Sequence, residues 1–169
     1  MNQNYIFLDI DGVLFPTHHR KGSHINAIHL KKQLEIKHNI SLDDVSLSDI
    51  IYVTQGWNQE AILNLQKVVA IKNAKIIISS SWKFTHSFEV LKKLFTLIDL
   101  GEVIIDSIPN RYGIIKHETI HRYLKKHPEI TSYIVLDDIP MESYFPNHFV
   151  YCPDVFNQEA YEKSISLLK

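Results

Sequence analysis

The chain has too few cysteines to be stapled. Cys152 is its sole thiol among 169 residues, so neither an intrachain disulfide nor a cysteine-built zinc site can form. That usage fits a reducing compartment. An excess of one charge is missing too. Eighteen Lys and Arg against nineteen Asp and Glu give a net charge of −1, so there is no global polybasic signature for nucleic acid or membrane. A local positive site is still allowed. No apolar run approaches membrane-spanning length, and the opening MNQNYIFLDI lacks the basic-then-apolar pattern of a signal peptide. A cytoplasmic protein that engages no membrane is the expectation. Repeats and low-complexity tracts are absent as well. The length suits one domain with a sizeable core.

What is present is organised around YIFLDIDGVLF, Tyr5 to Phe15. An apolar run carries the chain into Asp9 and Asp11, and Gly12 permits a turn straight after them. Such a run reads as a buried parallel strand, whose carboxyl end is where reactive groups gather in open α/β sheets. Residues i and i+2 of an extended segment share a side, so Asp9 and Asp11 can face one site. Two carboxylates that close repel unless a cation or a shared proton relieves them.

Downstream, strands and helices alternate. Pro16 to Ser23 is polar and loop-like, with His18, His19, Arg20 and Lys21. Ala27, Leu30 and Leu34 mark a helix ending near His38-Asn39, and Ser41 with Asp44 resembles a cap for a short helix or turn over Leu42 to Ile50. Residues 16 to about 56 thus read as a small insertion, unable to fold alone and lying over a core domain that fills 1–169. Ala61, Ile62, Leu65, Val68 and Val69 mark the next helix. Lys75 to Ile78 is a second strand, ending on Ser79, Ser80, Ser81 and Trp82. A helix through Phe88, Leu91, Phe95 and Ile98 closes at Gly101, and Glu102 to Ile105 is a third strand. Ile120, Tyr123 and Leu124 belong to a helix that Pro128 stops. Tyr133 to Leu136 is a fourth strand ending on Asp137 and Asp138. His148 to Tyr151 is a fifth, and Tyr161, Ile165 and Leu168 mark a final helix. This alternation predicts an α/β, Rossmann-like three-layer sandwich with a mostly parallel central sheet.

Three strands therefore end in polar residues: Asp9 and Asp11, Ser79 to Ser81, and Asp137 and Asp138. In a parallel sheet these ends share one edge. Two acidic ends beside a hydroxyl end form a hard-cation site suited to Mg²⁺. His18, His19, His24 and His29 match no transition-metal spacing, and Asp9 to Arg20 lacks the later ligands of an EF-hand.

With these residues in view, the chain resembles the haloacid dehalogenase (HAD) superfamily of phosphohydrolases. FLDIDGV matches its first motif without departure, IIIS its second, Lys116 opening KHETIHRYL its third and IVLDD its fourth. The motifs come in family order across Phe7 to Asp138. SSSW and LDD further resemble a small HAD group related to nucleic-acid repair phosphatases. The resemblance implies Asp9 as nucleophile, Asp11 as acid/base, and Ser79 and Lys116 as phosphate-binding groups. It implies Mg²⁺ held by Asp9, the backbone carbonyl of Asp11, Asp138 directly and Asp137 in support. Ser80 and Ser81 are alternatives to Ser79, while Lys83, Arg111, Lys125 and Lys126 are alternatives to Lys116. Trp82 reads as core or site wall.

The activity this implies is a Mg²⁺-dependent phosphomonoesterase acting through an aspartyl-phosphate on a phosphorylated metabolite or nucleotide. A nucleic-acid end is the alternative substrate. A phosphoacceptor signalling module uses similar groups, but typically places its acceptor on a central strand of the sequence and lacks an acid/base like Asp11. A non-catalytic protein on the same scaffold is disfavoured, because clustered acids without a task only destabilise.

Overall fold

In the computed structural model, residues 3–17 and 26–169 are described. β1 (Asn4–Leu8) is the central strand, and it is central because NYIFL presents an apolar surface on both sides. Its neighbours are β2 (Ala74–Ile78) and β4 (Ser132–Asp137), with β3 (Ile104–Ser107) and β5 (Phe149–Tyr151) outside them, giving the order β3-β2-β1-β4-β5. All the pairings are parallel, which sharpens the expected mostly parallel sheet. The α/β three-layer reading holds.

Strand alternation divides the core. Ile6, Leu8, Ile76, Ile78, Ile134 and Leu136 pack with α3 (Gln59–Lys72), α4 (Phe88–Thr96) and α6 (Gln158–Leu167). Phe7, Ile77 and Val135 face the other way, toward Ile120 and Tyr123 of α5 (Lys116–Lys126). Side chains such as Phe7 and Leu8 are fully buried, each stabilising the fold by about 1.5–3 kcal/mol.

The segment between β1 and α3 carries α1 (Ala27–His38), α2 (Leu47–Ile51) and a π-turn over Tyr52–Gly56. Its apolar residues Leu34, Leu42, Val45, Ile50 and Val53 belong to the same buried cluster as the sheet residues Leu8 and Ile78. Ser46, rather than Ser41, caps α2 by accepting from Asp49 N. The Ser41 hydroxyl instead closes a local turn with Asp43. Likewise α4 stops at Thr96, before a left-handed Asp99, and Gly101 opens a 3₁₀ turn. β3 accordingly starts at Ile104 instead of Glu102. His18, His19, Arg20, Lys21 and His24 lie outside the described residues. Among the described residues, no helix is long and apolar enough to cross a membrane.

Candidate active site

The three strands that end in polar residues are adjacent, and they end level. Leu8 pairs with both Ile78 and Leu136. Ser79 N donates to Leu8 O at 2.9 Å, and Asp9 N donates to Leu136 O at 3.0 Å. Asp9, Ser79 and Asp137 therefore form a row across the sheet edge. Alternation turns this row toward the side of Phe7, Ile77 and Val135, the side that α5 covers. Lys116, the first residue of α5, meets it there. Its Nζ is 2.7 Å from Asp9 Oδ2 and 2.8 Å from Asp137 Oδ2.

Burial pulls the Lys116 pKa down most strongly of any single influence, but Asp9 and Asp137 together outweigh it and the net shift is upward. Asp137 is fully buried. Burial first, and the Asp9 charge second, push its carboxyl up to about 7 against the pull of Lys116. Asp138 is raised for the same two leading reasons.

Gly12 brings Asp138 into the group. Its φ is +72°, and a Cβ there would meet the Asp138 carboxylate carbon at 2.4 Å. The absence of a side chain is thus a spatial requirement as well as a conformational one. The turn is held by Gly12 N donating to Phe15 O at 2.7 Å, and by Val13, Leu14 and Phe15 N–H groups converging on Ile10 O. One carboxylate oxygen from each of Asp9, Asp137 and Asp138 lies within 4.8 Å of the others. Hard oxygen donors gathered so closely could hold a metal ion.

Asp11 lies past the end of β1, yet its side chain lines the same cavity as Asp9. Its Oδ2 accepts a 3.1 Å hydrogen bond from Trp82 Nε1. Burial, then the Asp9 charge, raise the Asp11 pKa, and the Trp82 bond opposes the rise. Trp82 is itself braced by an approximately parallel stack on His86, whose Nε2 is 3.3 Å from Asp49 Oδ2 of α2. Trp82 reads from the sequence as core or site wall, and it packs against the core cluster; its bond to Asp11 was not legible, because a contact across 71 positions leaves no local pattern.

Asp9, Asp11, Lys116 and Asp138 open into a cavity of about 590 Å³. Its outer wall is apolar and aromatic: Ile114, Ile115, Ile139, Met141, and His117 stacked on Tyr144 at 3.7 Å between ring centroids. A smaller cavity of about 60 Å³ lies against Ser79, Ser81, Lys83, Lys116 and Thr119. The Ser79 hydroxyl is buried without a hydrogen-bond partner among the described residues. Of the alternatives, Ser80 caps the 3₁₀ turn Ser81–Phe84 by accepting from Trp82 N, while Ser81 lines both cavities. Arg111, Lys125 and Lys126 are not among the residues lining either one.

An all-parallel sheet with DIDGV at its central strand, a hydroxyl and an acid pair level with it, and a lysine reaching in from α5 defines a phosphohydrolase of the HAD superfamily. The model of one HAD family, described as the HAD domain in Swiss Army Knife RNA repair proteins, matches residues 5–155, and the chain belongs to that family. The comparisons with curated proteins and with solved structures each return no match.

Proposed function

We propose that the chain is a Mg²⁺-dependent phosphomonoesterase working through an aspartyl-phosphate on Asp9. The observation that carries this reading is the level row of Asp9 and Asp137 around Lys116, with Asp11 and Asp138 opening into the same cavity. Lys116 orients Asp9 through Oδ2. A carboxylate oxygen of Asp9 attacks phosphorus, the phosphorus–ester oxygen bond breaks, and Asp11 gives its proton to the departing oxygen. Asp11, now a carboxylate, takes a proton from water as that water attacks phosphorus. Inorganic phosphate leaves and Asp9 is regenerated. Mg²⁺, held by Asp9, Asp138 and the Asp11 backbone carbonyl with Asp137 in support, would offset repulsion between nucleophile and phosphoryl oxygens. Ser79 donates to a phosphoryl oxygen. The insertion read over residues 16–56 would serve as a small cap, and its described residues 26–56 contribute nothing to the lining of the larger cavity.

The raised Asp11 pKa supports its role, since a general acid must hold its proton near working pH. The test is hydrolysis of p-nitrophenyl phosphate with Mg²⁺ present and then chelated, by wild type and Asp9→Asn. Background activity for folded Asp9→Asn is expected. Undiminished turnover by that variant overturns the reading, as does a wild type that holds the phosphoryl group without releasing phosphate, the behaviour of a phosphoacceptor module.

A second reading narrows the substrate to nucleic-acid ends. The family's description favours it, and so does the wall beside Asp9, where Ile114 is 83% exposed and Tyr144 47%. Flat apolar surface of this kind suits a base stacked beyond the phosphate. Catalytic efficiency on a phosphorylated oligonucleotide should exceed that on its mononucleotide, and the advantage should fade with added salt. A preference for the mononucleotide, or for a phosphorylated metabolite, at low and high salt alike excludes this narrower reading.

A further inference from the structure

Lys116 does not have a charge to spare. Its Nζ is shared between Asp9 and Asp137 at 2.7 and 2.8 Å. Lys83 is in the opposite situation. It is 92% buried, at 8% relative exposure, and no carboxylate lies within ion-pair distance of it among the described residues. Its ammonium lies 5.3 Å from the Phe84 ring centroid. Burial first, and the like charge of Lys116 second, pull its pKa down. A lysine that lines a small cavity with a second lysine, and has no carboxylate partner, is placed to receive an anion.

The space that Lys83 lines contains the second half of the pattern. Ser79 lines the same small cavity, and its hydroxyl is buried without a hydrogen-bond partner among the described residues. Ser81, Ile114 and Lys116 line both this cavity and the larger one that holds Asp9, so the two are contiguous. A buried hydroxyl and a largely buried lysine, neither with a side-chain partner among the described residues, line one space beside the nucleophile.

We propose that Lys83 is a phosphate-binding residue, which with Ser79 holds the oxygens of the phosphoryl group and of inorganic phosphate on the side of Asp9 away from Asp138. Lys116 then acts chiefly as the tie between Asp9 and Asp137. This rests on the cavity being a phosphoryl site. It divides between two lysines a task that the motif order gives to Lys116 alone.

The experiment is calorimetric titration of inorganic phosphate into the Mg²⁺-loaded full chain, for wild type, Lys83→Met and Lys83→Gln. Thermal midpoints are recorded with and without phosphate. Loss of one charge-assisted contact should weaken phosphate binding about 10- to 100-fold. Without phosphate, the Lys83→Met midpoint should equal or exceed that of wild type, because a cation with no carboxylate partner has gone from beside Lys116. Phosphate should raise it less than it raises wild type. If both variants bind phosphate within about twofold of wild type, or if the midpoint falls while the phosphate-induced rise persists, Lys83 is structural and the proposal fails. Hydrolysis of p-nitrophenyl phosphate by wild type, measured alongside, keeps the two ideas apart. Lys83-dependent phosphate binding without any hydrolysis supports the subsite and sinks the phosphatase. Hydrolysis with Lys83-independent binding does the reverse.

Discussion

Trp82 donates its indole N–H to Asp11 Oδ2 at 3.1 Å, from a turn that follows β2 to a carboxylate that follows β1. That bond favours the ionised carboxylate, whereas burial and Asp9 favour the acid. Removing it as Trp82→Phe should raise the Asp11 pKa further. A general acid is active when protonated, so the alkaline limb of kcat/KM should move to higher pH. Turnover of alkyl phosphates should fall about tenfold through lost orientation, while p-nitrophenyl phosphate, whose leaving group needs little protonation, should change less. An unchanged pH profile would show that Trp82 serves packing alone.

Asp11→Asn should fold and bind Mg²⁺, because the metal is assigned the backbone carbonyl at this position. It should hydrolyse esters with poor leaving groups least of all. Titrating Mg²⁺ into the variant and comparing good with poor leaving groups checks both halves. Loss of metal with full turnover of an activated ester would reverse the assignment.

Gly12→Ala places a Cβ 2.4 Å from the Asp138 carboxylate carbon at a φ of +72°. Backbone strain of this kind costs about 1–3 kcal/mol, and the Asp138 side chain must move. A lower midpoint on thermal denaturation and weaker Mg²⁺ affinity on titration are expected together. A drop in stability with unaltered Mg²⁺ affinity would remove Asp138 from the metal's ligands.

The metal-free protein should show a pH signature from Asp137. Its folded pKa, about 7, lies above the ordinary aspartate value of 3.8, so the folded state holds this proton more tightly than the unfolded chain does. The resulting stabilisation is complete below the lower value and is lost as pH rises through the higher one. Denaturation midpoints of metal-free protein between pH 4 and 8 should decline from this group, and Mg²⁺ should flatten the decline. A midpoint that rises steadily across that window would contradict the sign.

Much of this was legible because each element that builds the site announces itself locally. FLDID, IIIS and IVLDD are apolar runs that stop on polar residues, and pairing them in parallel puts Asp9, Ser79 and Asp137 in one row. Strand alternation then accounts for Lys116, which comes from the helix on the side that Phe7 and Val135 face. What escaped were contacts with no local periodicity. The Trp82 bond to Asp11 and the unpaired burial of Lys83 depend on how the turn after β2 folds back, which the serine run does not specify. The cap of α2 shifted from Ser41 to Ser46 because both serines precede acids at plausible spacing, and packing of Ile50 into the core selects between them.

The most direct test of the account is to find where the phosphoryl group resides during turnover. Asp11→Asn protein, incubated with Mg²⁺ and p-nitrophenyl phosphate and quenched in acid, should yield a peptide phosphorylated on Asp9. The same treatment of Asp9→Asn should yield none. A phosphoryl group on another residue, or folded Asp9→Asn turning over at the wild-type rate, would contradict the account.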